Sequence, residues 1–219
     1  NIVFLSTPQN MPDLKILLKV GVSVVKVGSD DLTNLPLLKN FQKTNLPLIL
    51  SCGMSNIAEV HNALEAVGWY KGKPIVMLLC TSQYPTPPKD VNIQKLTTLR
   101  KAFPGLIVGF SDHTQDSLAA SLAVALGATV FEKHFTLSHD LEGPDHWFSC
   151  DPEELKEWVK DIHKSYEMMG SPYLKPTFIE QKMSKIARRS ITAIKKIPVG
   201  EILKKTNIGA RRPGGGLPI

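Results

Sequence analysis

Short β-branched apolar runs alternate with helix-patterned stretches along most of this chain, and no other feature limits its fold so tightly. The runs are "IVFLST" (2–7), "SVVKVGS" (23–29), "LPLILSCG" (46–53), "PIVMLLCTS" (74–82), "GLIVGFSD" (105–112) and "ATVFEKHF" (128–135), bounded by Gly, Pro or Asn. Between them, residues 11–21, 35–44, 55–68, 92–103 and 116–127 read as helices, with Gly21, Gly68 and Gly127 where a helix end favours positive φ. Strands apolar on both faces and joined by helices call for an α/β fold with a parallel sheet. A TIM-type barrel and a doubly wound sheet both satisfy that pattern.

The polar residues separate the two. Nearly every run ends in polar groups: Ser6 and Thr7, Lys26 and Ser29, Ser51, Thr81 and Ser82, Ser111 to His113, Glu132 and His134. In a (β/α)8 barrel all strand C-termini open into one mouth, so such groups converge. Neither GxGxxG nor GxxxxGK[ST] occurs, which removes the usual support for nucleotide binding. The expectation is a TIM-type (β/α)8 barrel of which about six βα units are present.

On neighbouring strands of a barrel, His113 and His134 can approach one ion, and two imidazoles with water and substrate oxygens suit Mn²⁺, Fe²⁺, Co²⁺ or Zn²⁺. They are equally readable as strand-end histidines satisfied by backbone or solvent. Ser29, Ser51 and Ser111 can be small packing residues, Lys26 can snorkel from a rim, Glu132 can pair with Lys133, and Asp145 can be a turn residue.

Composition narrows the partners. The 219 residues are 42% hydrophobic, enough for a real core, and no apolar run approaches the ~20 residues of a membrane span. The start has no signal-peptide pattern, so a cytoplasmic location is expected. Cys52, Cys80 and Cys150 have no CxxC spacing and read as reduced, buried thiols. The net charge of +6 comes from scattered lysines with no basic–aromatic block, so an anionic small substrate is expected and nucleic acid is not. The chain opens without methionine inside an apolar run and stops after "RRPGGGLPI", as part of a longer protein would.

The blocks "FLSTP", "VKVGSDDLTNLPLL", "LPLILSCGM", "LLCTSQYPTP", "GFSDHT", "GATVFEKHFTL" and "EGPDH" resemble, in order, the strand-end motifs of the N-acetylneuraminate (sialic acid) synthase family. "RRSITAIKKIPVGEILKKTNI" with "RRPGGG" resembles the start of that family's antifreeze-like domain. The resemblance implies a TIM barrel, a linker and that small domain, in a homodimer. It also implies condensation of phosphoenolpyruvate with an N-acetylated amino sugar to a nine-carbon 2-keto acid and phosphate. By the same resemblance His113 and His134 are the metal pair, with Mn²⁺ the usual ion, and Thr7, Lys26, Ser29, Ser51 and Ser111 surround phosphoenolpyruvate. Ser82 joins them where relatives often carry Asn. Tyr84, Asp145 and Asp31 match positions near the sugar, Asp31 where relatives often carry Glu, and Arg212 resembles an arginine delivered to the partner's site. Glu132, Asp145 and Tyr84 are the catalytic candidates. Another metal-dependent barrel lyase or epimerase and a non-catalytic sugar-binding remnant are the alternative functions.

The expected domains are a partial barrel over 1–170 that ends in an amphipathic helix at 152–169, a linker over 171–189, and the truncated antifreeze-like domain over 190–219.

Overall fold

Asparagines start the first three helices, because a short side-chain oxygen can accept from amides that have no partner in the first turn. Asn10 accepts from Asp13 N at the head of α1 (Met11–Val20), Asn34 from Leu37 N at α2 (Leu35–Gln42), and Asn56 forms a reciprocal box with Glu59 at α3 (Ile57–Ala66). Gly21 ends α1 at φ 88°, a conformation open to glycine, and its amide bonds the Leu17 and Leu18 carbonyls. The computed structural model describes residues 2–219, in one unit ending at Gly170 and a second at Ser171–Ile219.

In the first unit, strands β1 (Val25–Val27), β2 (Leu48–Ser51), β3 (Ile75–Cys80), β4 (Ile107–Asp112) and β5 (Val130–Lys133) pair in parallel in the order β1-β2-β3-β4-β5. Helices α4 (Pro88–Val91), α5 (Lys95–Ala102), α6 (Leu118–Ala125) and α7 (Pro152–Met169) complete it. A doubly wound sheet reverses strand order at a switch point, whereas this order never reverses, so the right-handed crossovers all wrap one way.

The sheet curls accordingly. Laid flat, its two outer strands would stand roughly 19 Å apart at about 4.8 Å per gap. Instead Lys26 Nζ on β1 lies 3.3 Å from Glu132 Oε2 on β5. The unit is a half-barrel. Its core places Val25, Val27, Leu48, Leu50 and Met77 against Leu38, Phe41 and Leu64 of the covering helices, all within 1% of full burial.

One expected strand does not form. Residues 2–7 adopt no strand, and Ser6 O accepts a single 3.4 Å bond from Lys26 N. Ile2, Val3 and Phe4 are exposed, so the run has the right composition but lacks the ladder and the two packed faces that stabilise a parallel strand. Five strands, not six, are present in this sheet among the described residues, and they do not close a barrel.

Helix α7 occupies the span expected from its pattern, opened by a box between Asp151 and Glu154 with Pro152 in the first turn. The second unit holds α8 (Phe178–Ala187) and an antiparallel sheet of β6 (Ser190–Ala193), β7 (Ile208–Arg211) and β8 (Leu217–Pro218) in the order β7-β6-β8. Residues 171–189 therefore contain a helix where only a linker was expected. The box between Thr177 and Glu180 starts it, and that signal was readable in "TFIE". Asn207, fully buried, fixes the loop before β7: its amide donates to Glu201 Oε1 and Ile202 O and its oxygen accepts from Lys204 N.

Candidate functional site

Parallel strands that end together place alternate side chains in one mouth. A cavity of about 540 Å³ at the C-terminal ends of the five strands is lined by Lys26 and Ser29 from β1 and the turn after it, Ser51 from β2, Ser82 and Tyr84 beyond β3, Ser111 and His113 from β4, and Glu132 and His134 from β5. A larger hollow of about 690 Å³ lies between the α4 region and α6, lined by Pro87, Val91, Leu118 and Leu122 among others, and none of the strand-end serines or histidines reaches it.

The buried Lys26 ammonium is held at the floor. It donates to Ser51 Oγ at 2.8 Å and Val27 O at 3.0 Å and pairs with Glu132 Oε2, while Ser111 Oγ donates to Glu132 Oε1 at 2.6 Å. A buried cation is costly unless partnered, and here each partner comes from a different strand end or from the peptide beside it. Beside this network Ser29 Oγ accepts from Gly53 N at 3.0 Å. A Cβ on residue 53 would lie 2.5 Å from Ser82 Oγ and 2.7 Å from Ser29 Oγ, so glycine is what leaves room for both hydroxyls beside residue 53.

The histidines form the opposite wall. His113 Nδ1 lies 2.7 Å from the Thr81 carbonyl, so Nδ1 carries the proton and Nε2 keeps its lone pair. Burial lowers the His113 pKa below 6.5. His134 is lowered as well, by burial and then by the repulsion of His113. Both rings are therefore neutral at neutral pH, and the 3.6 Å approach of His134 Nδ1 to Asp145 Oδ2 is a polar contact there rather than an ion pair. The ring centroids are 5.1 Å apart, a separation compatible with two imidazole nitrogens each about 2.1 Å from one ion. Tyr84 packs 4.3 Å from His113 and 5.5 Å from His134, and Phe148 packs 5.1 Å from His134. Burial also raises the Tyr84 hydroxyl above the ordinary phenol range, so it stays protonated and able to donate.

The remaining candidates lie elsewhere. Thr7 is half-buried and is not among the cavity residues, and Asp145 is exposed beside His134. The Asp31 carboxylate accepts from Asn34 Nδ2 at 3.0 Å, and its neighbour Asp30 lines the cavity instead. Arg212 is an exposed residue of the second unit. Asp30, Met54, Cys80 and Phe148 are site neighbours that strand-end pattern alone does not pick out. A second histidine-containing group, His139, Asp151 and Glu154, brings three potential ligand atoms within 4.8 Å of one another. Its carboxylates are committed to capping α7, Asp151 Oδ1 to the Glu153 and Glu154 amides and Glu154 Oε2 to the Asp151 amide.

Residues 1–173 match the NeuB family profile. This chain belongs to the NeuB family. It is 45% identical over 216 residues to an uncharacterized protein of Methanocaldococcus jannaschii, covering 99% of this chain and 64% of that one. It is 41% identical over 219 residues to the N,N'-diacetyllegionaminic acid synthase of Campylobacter jejuni, covering 99% and 65%. The crystal structure of N-acetylneuraminic acid synthetase from Leptospira borgpetersenii superposes with a TM-score of 0.77 at 33% identity, over 84% of this chain and 64% of that one. The NeuB-family chain thus spans a little under two thirds of the length of these relatives. No helix among its described residues is long and apolar enough to cross a membrane.

Proposed function

We propose that the chain carries the reaction centre of a cytoplasmic sialic-acid-type synthase, which condenses phosphoenolpyruvate with an N-acetylated amino sugar to a nine-carbon 2-keto acid and phosphate. The observation that supports this most directly is the convergence, in a member of this family, of the buried Lys26 ammonium, strand-end serine hydroxyls and two neutral imidazoles on one cavity of about 540 Å³.

Each side has a role. Lys26, Ser51 and Ser111, joined by Ser29, Ser82 and the Gly53 amide, offer the donors that a carboxylate and a phosphate require, and Thr7 is a further donor on the same reading. His113 through Nε2, and His134, would hold a divalent ion, Mn²⁺ being the expected one. Such an ion supplies Lewis-acid polarisation of the sugar's aldehyde oxygen. Tyr84 and Asp145 orient sugar hydroxyls and the acetamido group, with Asp31 as a more distant contact. Attack of the terminal methylene carbon of phosphoenolpyruvate on the aldehyde carbon forms the new C–C bond while the aldehyde oxygen takes up a proton, water adds at the carbon that bears the phosphate, and that tetrahedral intermediate expels phosphate to leave the keto group. Glu132, touching both Lys26 and Ser111, is placed to manage the proton of that water. Holding two polar substrates in line is the larger part of the catalysis.

In this reading residues 190–219 begin an antifreeze-like domain, the protein is a homodimer, and Arg212 serves the partner's sugar site. Phosphate release by the full-length protein, with phosphoenolpyruvate and a panel of N-acetylated amino sugars, is the test. Release that requires both substrates supports the assignment, and release with no sugar of the panel removes it.

A further inference from the structure

His113 and His134 each stand one residue beyond the end of their strand. The ladder between β4 and β5 runs Gly109 with Val130, Phe110 with Phe131, Ser111 with Glu132, and closes with Asp112 opposite Lys133. Past that rung the two histidine carbonyls no longer face each other's strand: His113 O accepts from Thr86 N, and His134 O from Cys150 N in an isolated bridge between Phe135 and Cys150. The last rung is the nearest pairing of β4 with β5 to both rings.

That rung is a buried ion pair on the face away from the cavity, where strand alternation puts the residues between Ser111 and His113 and between Glu132 and His134. Lys133 Nζ lies 3.2 Å from Asp112 Oδ2, with side chains 3% and 0% exposed. Every lone-pair direction of the carboxylate is used: Oδ1 accepts from Thr114 N at 2.8 Å and Thr114 Oγ1 at 2.7 Å, and Oδ2 accepts from Trp158 Nε1 at 2.8 Å. Lys133 also donates to the Thr114 carbonyl and lies 5.9 Å from the centre of the Trp158 ring. Helix α7 is also tied to the start of α6, where Ser117 Oγ donates to Asp161.

A buried ion pair of this kind contributes little net stability against a well-packed apolar pair, and in some proteins such a pair serves to fix one arrangement. We propose that Asp112 and Lys133, latched by Trp158, are positioning residues that set the separation of His113 and His134 for metal binding. This rests on reading the two histidines as the metal pair. Side chains that orient ligands from behind typically change metal affinity 10–100-fold when lost.

The test is calorimetric titration of the full-length protein with Mn²⁺, alongside circular dichroism and thermal melting. Asp112→Asn/Lys133→Met removes both charges together, so no uncompensated ion is left buried. Trp158→Phe keeps an aromatic ring on the helix and deletes the indole N–H with the five-membered ring that carries it. We expect native dichroism in both, a Mn²⁺ Kd weaker by about tenfold or more in the double variant, and a smaller loss in Trp158→Phe. If the double variant does not fold, weakened Mn²⁺ binding by a folded Trp158→Phe supports the proposal and wild-type binding overturns it. Wild-type Mn²⁺ affinity in a folded double variant, whatever its melting temperature, shows the rung to be structural only. His134→Ala tells the two ideas apart. If it loses Mn²⁺ while the double variant does not, the positioning role alone fails. If it binds Mn²⁺ like wild type, the metal assignment fails and the positioning role with it.

Discussion

Glu132 lies 3.3 Å from Lys26 and so joins β5 to β1, the two outer strands of the sheet. The contact is both a measure of the curl and a chemical setting, because it places a carboxylate next to the cation expected to receive an anionic substrate. Glu132→Gln keeps the shape and removes that competing charge. We expect tighter binding of phosphoenolpyruvate and inorganic phosphate by titration, together with a kcat lower by about 10²–10⁴-fold, the usual weight of a lost proton-transfer group.

Lys26→Met tests the floor from the other side. Loss of a charge-assisted hydrogen bond worth about 1.5–3 kcal/mol should raise the phosphoenolpyruvate KM by about 10–100-fold and leave the sugar KM nearly unchanged. An equal rise in both would place Lys26 outside the anion site.

His113→Ala and His134→Ala should each abolish stoichiometric Mn²⁺ binding in calorimetry while the far-ultraviolet dichroism stays native. His61→Ala, at an exposed residue bonded to Tyr70, is the control and should bind as wild type.

Cys52 provides a pH test that involves neither histidine. Burial, with a smaller push from Cys80, raises its thiol from 9.0 to about 12. The folded pKa lies above the unfolded one, so the unfolded state loses its proton first as pH rises. Stability is therefore complete below about pH 9 and declines from there toward pH 12. Urea titrations between pH 8 and 10.5 should give a falling midpoint whose slope is shallower in Cys52→Ala, and at pH 8 the native thiol should resist alkylation that the unfolded chain undergoes.

Gly109→Ala probes the spacing of β4 and β5. An added Cβ would stand 2.2 Å from the Val130 carbonyl oxygen and 2.5 Å from Leu78 Cδ2, and the backbone contact cannot be relieved by turning a side chain. Overpacking of this type costs about 1–3 kcal/mol, so the urea midpoint should fall, and Mn²⁺ affinity with it because β4 and β5 carry the two histidines.

Much of this architecture is local and therefore legible. The runs that became β1 to β5 carry their own apolar character, and Asn56 with Glu59 or Asp151 with Glu154 announce helix starts within four residues. The convergence of Lys26, Ser111, Glu132 and the two histidines could be expected because strand ends in a singly wound sheet share one rim. What sequence pattern could not supply depends on which partner each group finds, near or far. "IVFLST" has strand composition without a ladder, a matter of neighbours rather than of residues. Asp30, not Asp31, turns to the cavity because the three-residue 3-10 turn at Ser29–Asp31 directs Asp31 toward Asn34. Trp158 reads as packing on an amphipathic helix, and its bond to Asp112 spans 46 positions of sequence.

The Thr81 carbonyl that receives the His113 ring proton belongs to the main chain. Every amino acid brings the same carbonyl to that place, so the tautomer of His113 does not depend on which side chain stands at position 81. Mutational drift there can alter the loop that follows β3, including the approach to Tyr84, while the imidazole keeps presenting the same nitrogen. The rim can thus diversify toward different ligands without renegotiating the chemistry of the ring behind it.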